Sequence, residues 1–210
     1  MTEEHRTRGS RGGVTVHGSG VAQAVPDVVV AELGAEARAL DAERALGLAG
    51  DALARMTDSL RSAGVEDRAL RTASPSSWTD GSRVVVRLGL TVTLRDVATS
   101  GDLFSAAVTA GGEEARLDGV RFEVSDPREA QTRAREAAWA DAMTKGTHWA
   151  TLAGRALGEV VWVQEGGAEA SPMFAARAGA VSAMSVPVEA GEQAVRADVS
   201  VRWVWAEPSS

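Results

Sequence analysis

The feature that most constrains this chain is a long alanine-lined helical pattern set between two strands, from Gly119 to Val163. Val120-Arg121-Phe122-Glu123-Val124 alternates apolar and charged side chains at period two, which is a strand signal. Asp126-Pro127-Arg128-Glu129 then reads as a helix start, with Asp126 as cap, Pro127 at the first helical position and Glu129 reaching back as in a capping box. No proline follows before Leu157, and Ala130, Ala134, Ala137, Ala138, Ala142, Trp149, Leu152 and Ala156 recur at helical spacing. The spacing predicts a helix of about 30 residues, about 45 Å long at 1.5 Å per residue, stopped by Gly158. An alanine face lets a second backbone approach closely. Gly146 and Gly154 weaken the helix by about 1 kcal/mol each relative to alanine.

Upstream, Val14 to Gly20 is a short strand ending in a glycine-rich stretch, His17-Gly18-Ser19-Gly20. A Gly-x-Gly that cradles phosphate needs a helix directly after it, and here Pro26 and a strand follow, so the pair reads as a strand end or bulge. Val28 to Ala37 is a strand. Asp41 caps a helix whose stripe is Ala45, Ala49, Ala52, Leu53, Met56, Leu60 and Ala63, and Gly64 ends it. Leu70 to Trp78 is an edge strand broken by Pro75, and Asp80-Gly81 is a turn. Val84, Val86, Leu88, Leu90, Val92 and Leu94 share one face of the clearest strand. A shorter helix, Asp96 to Ala110, leads back to the Val120 strand.

The order strand-helix-strand-strand-helix-strand predicts an α+β two-layer sandwich built on a ferredoxin-like βαββαβ unit with an antiparallel sheet. The long helix and the C-terminal strands, Glu159–Gln164 and Ala194–Trp205, extend it. Residues 1–13 read as a disordered tail and 14–206 as the domain, with two interlocked subdomains at about 14–124 and 125–206. The alanine-, glycine- and serine-rich stretch 166–191 reads as a mobile loop.

Several functions are disfavoured by composition. Net charge is −7, which opposes a phosphate-neutralising surface, so no nucleic-acid partner is expected. With 0 cysteines, thiolate catalysis and cysteine metal sites are excluded. No apolar window is long enough to span a membrane. His5, His17 and His148 lack metal-ligand spacing. Asp126 and Glu129 are explained as cap residues. No catalytic, cofactor-binding or metal-ligating residue is assigned, and no cofactor is expected. The Arg/Gly-rich start, Met1 to Gly13, carries no apolar core of a signal peptide, which points to a cytoplasmic protein.

The aromatic set is unusual, with 6 tryptophans and no tyrosine. Trp203 and Trp205 share a strand face. They read either as core or as an aromatic strip for a partner, and Met173, Phe174 and Trp149 join them as candidate interaction residues.

The ordered set of segments resembles the SIMPL domain family (DUF541). The carrying residues are Val14–Gly20, Pro26-Asp27, Leu60–Val65, Thr72, Leu90–Asp96 and Phe122–Pro127. They continue through Ala134–Ala138, Asp141-Ala142, Lys145, Leu157-Gly158, Pro187, Gly191 and the Val195–Val201 strand. The resemblance implies a two-layer α+β fold, no established catalytic set and a tendency to self-assemble, with some relatives forming large rings. It also implies links to envelope or stress roles and, in animals, to kinase signalling. The leading expectation is therefore a non-enzymatic protein that works as a homo-oligomer or by docking a protein partner. The alternative is a small-molecule-binding module that uses a sheet face or the 166–191 loop. A hydrolase with unorthodox residues is the third reading.

Overall fold

The computed structural model describes residues 12–166 and 191–207. Among these residues the chain forms two compact units. The first contains β1 (Gly13–Ala24), α3 (Arg128–Leu152), β6 (Leu157–Glu165) and β7 (Gln193–Trp205). The second contains β2 (Val28–Ala39), α1 (Ala42–Ser62), β3 (Leu70–Asp80), β4 (Arg83–Leu94), α2 (Val97–Gly111) and β5 (Ala115–Glu123).

The second unit is the expected βαββαβ arrangement. Its strands are antiparallel in the order β3-β4-β2-β5. Asp41 caps α1 by accepting from the Arg44 amide at 2.8 Å, and Asp96 caps α2. Gly64, at φ +88°, is the left-handed stop after α1. Both helices cover one sheet face, where Val29, Leu33, Met56, Leu60, Val92 and Phe104 form the core. β3 is an edge strand whose register shifts between Ala73 and Ser76, around Pro75.

The first unit is a three-stranded antiparallel sheet, β1-β7-β6, with α3 on one face. β1 and β7 pair without a slip from Gly13↔Val204 to Ala24↔Gln193. Ala130, Ala134, Ala138, Ala142, Gly146 and Ala150 form the buried stripe of α3. This stripe explains the Gly-x-Gly. A Cβ at Gly18 would stand 2.1 Å from the Ala138 carbonyl oxygen, and one at Gly20 would stand 2.1 Å from that of Ala134. The two glycines are neither a strand end nor a bulge. They lie inside a continuous strand, where a helix backbone approaches closely.

Other expectations are corrected here. β1 pairs with the C-terminal strand, so the division does not run at 124/125 with β1 in the first part. The long helix and last strands do not extend the four-stranded sheet; they build their own. α3 ends at Leu152 and is followed by Gly154 at φ +62°, while Gly158 lies in β6. No capping box forms, because Glu129 pairs with Arg133 at 2.6 Å. Asp126 instead accepts from the Arg128 amide at 3.1 Å and from its guanidinium. The expected tail and loop fall mainly on 1–11 and 167–190, outside the described residues.

The Arg128 guanidinium, with the Arg128 amide second, holds the Asp126 carboxyl down at about 2. An Asp in an unfolded chain titrates near 3.9. The folded value is depressed, so this contribution is fully present above about pH 4 and is lost as pH falls toward 2. A carboxyl NMR titration is expected to place the Asp126 midpoint near 2. Arg128→Ala should move it up toward the ordinary range. An ordinary midpoint in the unaltered protein would contradict the geometry.

Candidate functional site

The two edges of the three-stranded sheet are treated differently. An edge strand exposes a row of unpaired amides and carbonyls that can template another chain. On β1 three groups of this row, the His17 and Gln23 carbonyls and the Ser19 amide, are taken by side chains from α3. Lys145, the only lysine in the chain, donates from Nζ to the His17 carbonyl at 3.0 Å. The Ser19 amide donates to Asp141 Oδ2 at 2.8 Å, and Arg133 donates to the Gln23 carbonyl at 2.8 Å. Lys145 and Asp141 also pair at 2.6 Å, one turn apart. The Lys145 ammonium, with the Ser19 amide second, holds the Asp141 carboxyl below its usual range.

On the opposite side, β6 pairs only with β7 among the described residues. Its residues Val160, Val161, Trp162 and Val163 are 40% to 53% exposed. The register against β7 shifts on both sides of Val160, so Val160 and Val163 lie opposite Trp203 and Val201 while Trp162 lies opposite Arg202. Apolar side chains therefore stand on both faces of this edge. Such a run normally reads as a strand buried on both sides.

α3 packs on β1 and β7 and barely on β6. A groove of about 410 Å³ remains between α3 and β6, with Ala138, Trp139, Val163, Ala197 and Val199 in its lining. Trp139 is 40% exposed and its ring lies 6.1 Å from that of Trp203, tilted by 52°. Arg135 on α3 reaches Glu165 on β6 at 2.6 Å, across the groove. A second hollow, about 320 Å³, lies on the uncovered face of the four-stranded sheet. Its charges are satisfied: Arg87 pairs with Asp118, and Glu32 with Arg121.

The aromatic candidates separate. Trp203 is 2% exposed and sits in the core with Val16, Ala142 and Val201, so it offers no surface. Trp205 is part-buried beside Gly12. Trp149 is 55% exposed on α3, with His148 at 6.4 Å between ring centres. Met173 and Phe174 lie outside the described residues. His17 accepts or donates through Nδ1 with Ser200 Oγ at 2.7 Å, across the strand pair. The residues the sequence reading passed over are Trp139, the Val160–Val163 run and the Arg135–Glu165 bridge. The run carried a usable signal, since it lacks the alternation of a half-solvated strand. The bridge carried none, because it joins distant elements.

A 26 kDa periplasmic immunogenic protein of Brucella melitensis biotype 1 is 28% identical to this chain over 208 residues, covering 90% of the chain and 82% of that protein. The protein of the same name from Brucella abortus (strain S19) matches with the same identity and coverage. These names overturn the expected cytoplasmic address, since both relatives are named periplasmic. A cysteine-free α+β domain is chemically suited to either compartment, so its folded residues could not report the address. No helix among the described residues is long and apolar enough to cross a membrane. The SIMPL family model, described as a protein of unknown function (DUF541), matches residues 14–203, and the chain belongs to that family.

Proposed function

We propose that this is a non-enzymatic periplasmic protein that works by self-association, with a second copy pairing along the open edge of β6. The compartment follows the two relatives named periplasmic. The observation that carries the self-association is the contrast between the edges. Arg133, Asp141 and Lys145 take three outward backbone groups of β1, whereas β6 presents an apolar, half-exposed run. Burying Val161 and Trp162 against a second copy would remove apolar area from water at about 25 cal/mol per Å². An antiparallel copy centred between these two residues sets Val160 against Val163. It also sets Glu159 against Gln164, so no carboxylate faces another. Perturbed carboxylates often mark catalysis. Here the displaced ones have structural partners: Asp27 with Ser125, Asp96 with the α2 amides, Asp126 with Arg128 and Asp141 with Lys145.

Light scattering across a concentration series tests this. The unaltered protein is expected to show a mass above one chain that rises with concentration. Val161→Lys, an edge charge, should weaken association at least about tenfold, equivalent to about 1.4 kcal/mol. A one-chain mass at every concentration, or unchanged assembly in Val161→Lys, would overturn the reading.

A further inference from the structure

We propose that the groove between α3 and β6 binds a compact apolar cation, such as an arylalkyl amine or a quaternary ammonium. This goes beyond edge pairing. Edge pairing uses the outer backbone of β6, and the groove uses the face of β6 turned toward α3.

The groove follows from the size of the unit. One helix covers two strands, so among the described residues the third strand keeps an uncovered apolar face. The volume of about 410 Å³ falls within the range of small-ligand sites. Its shape selects a compact occupant. The Arg135–Glu165 pair joins α3 to β6 across the groove, so a peptide strand or helix threaded along it would have to break that pair.

The charge of the occupant follows from the rim. Arg135 and Glu165 neutralise one another. Glu136 also lines the groove and has no ion-pair partner among the described residues. The rim is therefore net anionic beside an exposed indole. A cation over an indole face is attracted by the ring quadrupole, and more strongly when desolvated. Trp203 backs Trp139 at 6.1 Å between ring centres and helps to hold that ring in place. An anion of the same shape would meet the Glu136 carboxylate without that gain.

Ligand-observed NMR and calorimetry on the full chain test the proposal, with phenethylamine and phenyltrimethylammonium as probes and phenylacetate as the comparator. Saturable binding of both cations is expected at one site per chain, with phenylacetate at least several-fold weaker. Trp139→Ala should weaken the cations at least tenfold, and Trp139→Phe should retain most of the binding. Glu136→Gln, an exposed change that leaves the groove walls intact, should reduce the preference for the amine over phenylacetate. Absence of saturable binding, equal binding of phenylacetate, or full binding in Trp139→Ala would overturn the site. So would a Trp139→Ala variant whose mass changes while its ligand response does not, because the groove would then hold a second copy. Val161→Lys separates the two readings: it should weaken association at least about tenfold and leave amine binding intact.

Discussion

Trp203→Ala is expected to destabilise the three-stranded unit by about 3–5 kcal/mol, the range for deleting a large buried aromatic. The indole is 2% exposed and packs with Val16, Ala142 and Val201 between the sheet and α3. A Cβ at Gly146 would come within 3.3 Å of the ring, so the helix has already given up a side chain to admit it. An alanine at 203 leaves a void beside Ala142 and Gly146, which are too small to fill it. Trp203→Phe keeps part of the volume and should cost less than half as much. Urea unfolding followed by circular dichroism measures both. A loss below about 1 kcal/mol for Trp203→Ala would put the ring at a surface, where the alternative reading of the aromatic strip had it.

Gly20→Ala should be nearly as damaging although it adds only a methyl group. That methyl would stand 2.1 Å from the Ala134 carbonyl oxygen and 2.4 Å from the Ala138 amide nitrogen. Both are backbone atoms of α3, so no rotamer change relieves the clash. The helix must lift from β1, loosening the Ala22, Ala130, Ala134, Ala138 and Ala197 cluster. Overpacking of this kind costs about 1–3 kcal/mol, and the upper end is expected where backbone meets backbone. Gly47→Ala in α1 is the control. Nothing lies within 4 Å of its would-be Cβ, so the substitution should be neutral or stabilise by up to about 1 kcal/mol. Equal tolerance at the two positions would contradict the close approach of α3 to β1.

Much of the four-stranded unit was legible because its signals are local. The Val84–Leu94 alternation, the Asp41 cap, the Gly64 stop and the Pro75 break each depend on residues close in sequence. The three-stranded unit was less legible because its signals are not. His17 meets Ser200 at a separation of 183 positions, and no local pattern near Val14 names that partner. His17-Gly18-Ser19-Gly20 reads locally as punctuation, and only the alanine stripe of α3 shows that the glycines are contact positions. Gly158 reads as the helix stop and Gly154 as a weak point within the helix, yet the left-handed residue after α3 is Gly154, at φ +62°. Asp126 and Glu129 have capping-box spacing, but nearby arginines took both carboxylates.

The candidate site was mostly hidden for the same reason. Trp203 and Trp205 share a strand face, yet the helix covers one ring far more than the other. The Val160–Val163 run has the composition of a strand buried on both sides, and no layer among the described residues buries it. That mismatch between apolar composition and exposure is the ground for proposing that a second copy pairs at β6.

Backbone hydrogen exchange read residue by residue at low and high protein concentration reaches this most directly. Amides of Val160 to Glu165 whose N–H points away from β7 should exchange quickly at low concentration and gain protection as concentration rises. Those of β1 should be unaffected by concentration, since the proposed pairing leaves that edge alone and α3 side chains already cross it at His17, Ser19 and Gln23. Equal exchange of the β6 amides at all concentrations would mean that no second copy pairs there, and the proposed mode of action would be wrong.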